Sequence, residues 1–296
     1  MLSERAPKAR YGSGTAAHTK LFCYTLGLFY LGTASKPEST SMNNTQLKIL
    51  AIISMTIDHV GAYLFPHVSI LRHVGRLAFP LFSYLVCEGC MHTHNKARYL
   101  ANMCAFGAVS QLVLSVGRGD LLLNIFCTLA LSVVTVYALQ WWAPSQNDPD
   151  RRWLSPRILA PVAAIALDVF CCQALPGLVG HGLHVQYGIV GVLLPVFAYL
   201  PYMLGLDKDD RSENVPYVQS SGHIASVALF GIGLIALSIA LNSSSQWWGL
   251  LSLVPLAAYN GERGGLGRAS AGLKYFFYAY YPIHLAVILA VKKMLA

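Results

Sequence analysis

From about residue 47 onward, apolar runs of roughly 20 residues alternate with short polar breaks. The runs fall near 47–65, 74–91, 98–116, 121–142, 156–178, 185–204, 222–241, 246–259 and 272–291. The breaks carry turn chemistry, among them Pro66, Gly117-Arg118-Gly119 and the mixed-charge stretch 205–221. A spanning helix needs about 20 apolar residues, whereas a membrane barrel strand shows about ten of alternating character. These runs are continuous, so they predict an all-α, polytopic transmembrane bundle of about nine spanning helices. A tenth is expected only if the N-terminal segment adds one.

Composition agrees: 55% of the 296 residues are apolar and 11% are charged. A soluble domain carries roughly 25% charge, so this chain has too little to cover a water-exposed surface. A disordered chain, a water-soluble enzyme and a secreted disulfide scaffold are excluded. No Gly-rich phosphate loop appears, which argues against an ATP-driven machine.

Residues 1–41 read as an extension to the domain at 42–296. Their basic head and 14-residue apolar stretch, 21–34, suit a signal-like segment, a short extra helix, or sequence upstream of a start at Met42. The resemblance described below favours the last.

The net charge of +8 reads as topology. With the Asn43 end in the cytoplasm, the inner loops hold Lys48, Lys96, Arg98, Arg151, Arg152, Arg157, Lys208, Arg211, Arg263, Arg268 and Lys274. The outer side holds Arg72, Arg118, Lys292 and Lys293. Positive loops stay inside, so a multi-pass protein of the cytoplasmic membrane with its C-terminus outside is expected. No basic run with interleaved aromatics appears, and no nucleic-acid partner is expected. Cys87 and Cys90 precede His92 and His94, but helical spacing reaches this pattern by chance; no metal is expected.

Ionisable groups at membrane depth are costly, so each is a functional candidate. Lys48 and His59 in the first run are eleven residues apart, about three turns and ~16 Å along one helix face. The bland alternative is a snorkelling Lys and a His at the interface. Asp58 adjoins His59, but neighbouring side chains diverge by ~100° on a helix. Arg76 and Glu88 bracket the second run, Glu88 within reach of Lys96 or Arg98. Asn124 and Thr128 share a helix face as potential helix–helix glue. Asp168 lies mid-run, Tyr187 opens the sixth run, and Pro282 should break the last helix just before His284.

At these residues the sequence resembles the TraX family of membrane proteins, named for the factor that N-acetylates conjugative pilin. The matching stretches are 47–66, 71–100, 110–111, 121–131, 186–194 and 259–289. The family looks like a distant relative of membrane acyltransferases that carry a basic residue and a His with ten residues between them in their first helix, as Lys48 and His59 do. The resemblance implies acetyl-CoA as donor from the cytoplasm, and a pilin-like peptide or glycan acceptor on the outer side.

Acyl transfer needs a base, oxyanion donors and held substrates. The catalytic set is then His59 as base or acyl carrier, Arg76 for the oxyanion, and Asp58 beside them. Lys48, Lys96 and Arg98 are expected to meet the CoA phosphates. Glu88, Asn124, Tyr187, Tyr281 and His284 are expected to line the substrate site. Two other classes compete: a proton- or ion-coupled transporter using Asp58, Glu88 and Asp168, which predicts pseudo-symmetric halves not visible here, and a non-catalytic pilus assembly factor.

Overall fold

A computed structural model describes residues 41–118, 123–143, 155–179, 183–206, 216–264 and 270–295. Residues 1–40, on which the signal-like reading falls, lie outside them. So do Arg151, Arg152, Lys208, Arg211 and Arg268 from the charge count.

Helix α1 (Asn44–Tyr63) starts at a reciprocal cap: the Asn43 side chain accepts from the Gln46 amide at 3.0 Å, and the Gln46 side chain accepts from the Asn43 amide at 2.8 Å. After the Pro66 turn come α2 (Ser69–Gly75) and α3 (Ala78–His92), separated by Arg76 and Leu77. Helices α4 (Lys96–Arg118) and α5 (Ile125–Trp142) follow. A 3₁₀ turn (Pro156–Ile158), α6 (Leu159–Val169), a π-helical turn (Phe170–Ala174) and α7 (Leu175–Val179) form one stretch. Then come α8 (Gly188–Met203), a 3₁₀ turn (Tyr217–Gln219) and α9 (Ser221–Ala240). A 3₁₀ segment (Gln246–Ser252) runs into α10 (Leu253–Ala257), and α11 (Ser270–Leu295) closes the bundle. The all-helical expectation holds; among the described residues the only β-type pairings are two isolated bridges, Met42 with Tyr259 and Leu123 with Val185.

Contacts between successive segments show that the chain alternates between two ends. At the Asn43 end, Met42 pairs with Ala258 and Asn260, Gln140 reaches the Cys90 carbonyl, and Tyr202 meets Tyr217. At the Tyr63 end, Leu123 pairs with His184, Trp248 stacks on His73, and Lys292 lies over Tyr63. Among the described residues this makes nine passes. Five stretches are long and apolar enough to cross a membrane: Ser69–His92, Ile125–Trp142, Pro156–Val179, Ser221–Ala240 and Tyr275–Leu295. The eighth pass is shorter. Seven 3₁₀ residues at ~2.0 Å and five α-helical ones at ~1.5 Å give about 21 Å.

The core holds Leu47, Leu81, Tyr84, Val133, Leu194, Phe230, Leu256 and Leu285, all but wholly buried. Apolar side chains also point outward, such as Leu159, Val162 and Leu178 on the α6–α7 stretch and Ile283 and Val287 on α11. Outward apolar faces on both sides of the bundle suit lipid rather than water.

Two glycines set the approach of α1 to α2. A Cβ on Gly75 would collide with Asp58 Cβ, and one on Gly61 would lie 2.7 Å from Leu71 Cβ. One expectation is corrected: Pro282 does not break the last helix, because α11 runs from Ser270 to Leu295 without interruption. Proline removes one amide and crowds one carbonyl, a defect that spanning helices tolerate when neighbours satisfy the freed groups. Pro195 and Pro201 likewise lie inside α8.

Candidate functional site

The Tyr63 end encloses a cavity of about 310 Å³. Its walls bring together Asp58 and His59 from α1, Arg72 from α2, Arg76 from the α2–α3 break, Asn124, Tyr187 and Tyr281. His59 Nδ1 lies 2.7 Å from His284 Nε2, and His284 Nδ1 lies 2.8 Å from the Tyr280 carbonyl. The two imidazoles stack with centroids 4.9 Å apart, and Tyr281 meets the His59 ring edge-on.

Asp58 turns away from its neighbour His59, as helical geometry requires, and faces two guanidinium groups. Arg72 Nη1 donates to Asp58 Oδ2 at 2.7 Å and to the Asp58 carbonyl at 3.1 Å. Arg76 Nη2 lies 3.8 Å from Asp58 Oδ1. Among the described residues Asp58 Oδ1 and Arg76 Nε have no hydrogen-bond partner, although both are buried. Two cations around one carboxylate leave the cavity wall positive. Tyr187 stacks on Phe79 with centroids 3.9 Å apart and takes a left-handed backbone, φ 66°. A non-glycine residue there stores strain, which persists only where its surroundings hold it.

A second cavity, about 490 Å³, opens from the Asn43 end. Lys48 and Arg263 contribute cations to its walls, and Met55, Phe126 and Leu129 line its apolar depth. Tyr281 lines both cavities, the one with Lys48 in its walls and the one with His59 in its walls. Lys96 and Arg98 are not in this lining. Lys96 sits over the Tyr137 ring at 5.1 Å, and Arg98 donates to Tyr275 Oη at 3.2 Å.

Glu88 also lines the larger cavity, 3% exposed. It pairs with neither Lys96 nor Arg98. Tyr217 Oη donates to Glu88 Oε1 at 2.8 Å, Tyr259 Oη donates to Oε2 at 3.3 Å, and His92 Nδ1 lies 3.5 Å from Oε2. Burial drives the Tyr217 hydroxyl far above its ordinary range, with nearby Tyr84 and Glu88 adding to it, so it stays a donor. Asn124 proves to be the cap of α5. Its side chain accepts from the Phe126 amide at 2.9 Å and donates to the Gly107 carbonyl at 2.7 Å. Thr128 donates to the Gln186 carbonyl at 2.7 Å, and buried Asp168 accepts from Thr135 at 2.6 Å.

Sequence reading did not single out Arg72, Arg263 or Gln186 as site residues. Arg72 is one helical turn before Arg76 and Arg263 lies in the Gly-rich stretch after Tyr259, but only the fold shows which cavity each reaches. Gln186 carried no signal of its own.

A bundle of apolar helices with outward apolar faces and polar groups enclosed at both ends is a multi-pass membrane protein. The TraX protein family matches residues 43–292, and the chain belongs to that family. It is 27% identical over 271 residues to a probable fimbrial assembly protein, FimC of serogroup H1, from Dichelobacter nodosus, covering 84% of this chain and 96% of that protein. A short stretch of 38 residues is 55% identical to an uncharacterised protein of Rickettsia prowazekii, covering 13% of this chain and 15% of that one. No solved structure matches.

Proposed function

We propose that the protein is an integral membrane acetyltransferase of the cytoplasmic membrane. It takes acetyl-CoA from the inner side and acetylates an acceptor on the outer side, most fittingly the N-terminus of a pilin-like peptide. One observation carries the reading: a cavity with Lys48 and Arg263 in its walls and a cavity with His59 in its walls share a lining residue, Tyr281. Lys48 and His59 stand ~16 Å apart along α1 by helical rise. That span suits a donor whose charged part stays at the Lys48 mouth while its acyl end reaches the imidazole.

In the proposed step the acceptor nitrogen or hydroxyl attacks the thioester carbonyl. His59 takes its proton, Arg76 faces the developing oxyanion, the C–S bond breaks, and the CoA thiolate leaves and is protonated. Imidazole titrates near pH 6.5 when unperturbed, which suits a base at neutral pH. The net-positive wall disfavours an ammonium in the cavity and so favours the neutral, nucleophilic amine. The relative's name, a probable fimbrial assembly protein, supports a pilin-like acceptor. It also favours a second reading, a non-catalytic assembly factor.

Purified protein in lipid nanodiscs, given acetyl-CoA labelled in the acetyl group and a pilin N-terminal peptide, tests the first reading against the second. Labelled peptide and released CoA thiol in equal amounts support the enzyme. Peptide binding without release of thiol supports the assembly factor.

A further inference from the structure

We infer that His284 is a positioning residue that fixes which nitrogen of His59 carries the proton. The tautomer follows from the hydrogen bonds alone; its catalytic consequence rests on the acyltransferase reading above.

The chain of donors starts at a group with no choice. The Tyr280 carbonyl can only accept, so the nitrogen facing it at 2.8 Å, His284 Nδ1, holds a hydrogen. In a neutral ring the other nitrogen is then an acceptor. His284 Nε2 faces His59 Nδ1 at 2.7 Å, so His59 Nδ1 is the donor and its lone pair resides on Nε2.

The rings are held in place. Tyr280 stacks beneath His284 with centroids 5.1 Å apart and planes 13° apart. Tyr280 Oη lies 2.8 Å from Thr56 Oγ1, which itself donates to the Ile52 carbonyl, so Tyr280 donates to α1. One helix therefore carries the orienting imidazole and the anchor that keeps it against α1. His284 is only 6% exposed, so water does not compete freely for its nitrogens.

When His59 takes a proton at Nε2, its Nδ1–H remains donated to His284, and no ring flip is needed during the step. An orienting partner does the same for the imidazole of a catalytic triad, where the wrong tautomer costs about 10⁴-fold. Here the partner is a second imidazole.

The full-length protein is labelled with ¹⁵N-histidine in nanodiscs, and the ring nitrogens of His59 are assigned by their loss in His59→Gln. The expected spectrum, with the rings neutral, shows His59 protonated at Nδ1 and bare at Nε2. His284→Leu removes the acceptor, and the population should shift toward the Nε2–H form. His284→Gln offers a carbonyl at similar reach and should keep the Nδ1–H form. With acetyl-CoA, kcat should fall by roughly 10²-fold or more in His284→Leu and stay within about tenfold of normal in His284→Gln, KM for acetyl-CoA being unchanged in both. A wild-type His59 protonated at Nε2 overturns the inference, and the wild-type spectrum decides this even where His284→Leu fails to fold. The expected tautomer in a protein that transfers no acetyl group would leave the His284 contact standing and reject the acyltransferase reading.

Discussion

Each end of the bundle buries charge, and each handles it differently. At the Asn43 end the Glu88 carboxylate is enclosed by Tyr217, Tyr259 and His92, and each oxygen has a hydroxyl donor. At the Tyr63 end Asp58 faces Arg72 and Arg76, yet Asp58 Oδ1 and Arg76 Nε are left without hydrogen bonds among the described residues. A satisfied network rigidifies; an incompletely satisfied one is costly and is kept where it does something. The contrast assigns a holding role to the Glu88 cluster, which ties α3 to the 3₁₀ turn before α9 and to the end of α10. It supports the proposal that the Asp58–His59 end is where the chemistry takes place.

That contrast is broken most sharply at His59. His59→Ala should lower acetyl transfer by about 10²- to 10⁴-fold, the usual worth of a general base, while the amount of folded protein in the membrane stays normal. Initial rates with labelled acetyl-CoA and a membrane-fraction blot check both halves. Gly75→Ala comes next. Its Cβ would press on Asp58 Cβ, so α1 and α2 must part. A loss of about 1–3 kcal/mol in stability is expected from overpacking, with weaker activity as the Asp58–Arg72 pair loosens; thermal unfolding in detergent reads it.

Tyr217→Phe should cost about 1–3 kcal/mol by stranding a Glu88 oxygen, with little change in kcat for the protein that remains folded. An equal fall in kcat would erase the division between the two ends. The smallest effect is expected from Lys48→Ala with Arg263→Ala. Together they should raise KM for acetyl-CoA by roughly tenfold, equivalent to about 1.4 kcal/mol, and leave kcat alone.

The helices were legible because lipid demands long apolar runs with internally paired backbones. The all-helical expectation holds, five of the stretches are long and apolar enough to cross a membrane, and expected ends fall within a few residues of those observed, as for 98–116 against Lys96–Arg118. Local irregularity was less legible. The break at Arg76–Leu77, the π-helical turn after Asp168 and the 3₁₀ course of Gln246–Ser252 depend on packing against neighbours, which a single sequence does not display. Pro282 misled because a rule drawn from soluble helices was carried into a bundle that supports its helices from outside.

The site divides along the same line. His59 and Arg76 stood out as ionisable groups at membrane depth, and the fold places both on one cavity wall. The partner of each was hidden. Nothing in the spacing shows that His284, 225 residues further on, touches His59, or that Arg72 rather than His59 takes Asp58. Lys96 and Arg98 shared the charge and the end of Lys48, but they reach Tyr137 and Tyr275 and are not among the residues lining the larger cavity, whereas Arg263 is.

Mass spectrometry of envelope proteins from cells carrying the wild-type chain, the His59→Ala chain or neither tests the central claim most directly. Wild-type cells should show one acetyl group on the N-terminus of an exported pilin-like peptide, absent from the other two strains. Identical acetylation in all three, with the wild-type protein present in the membrane, would contradict the account.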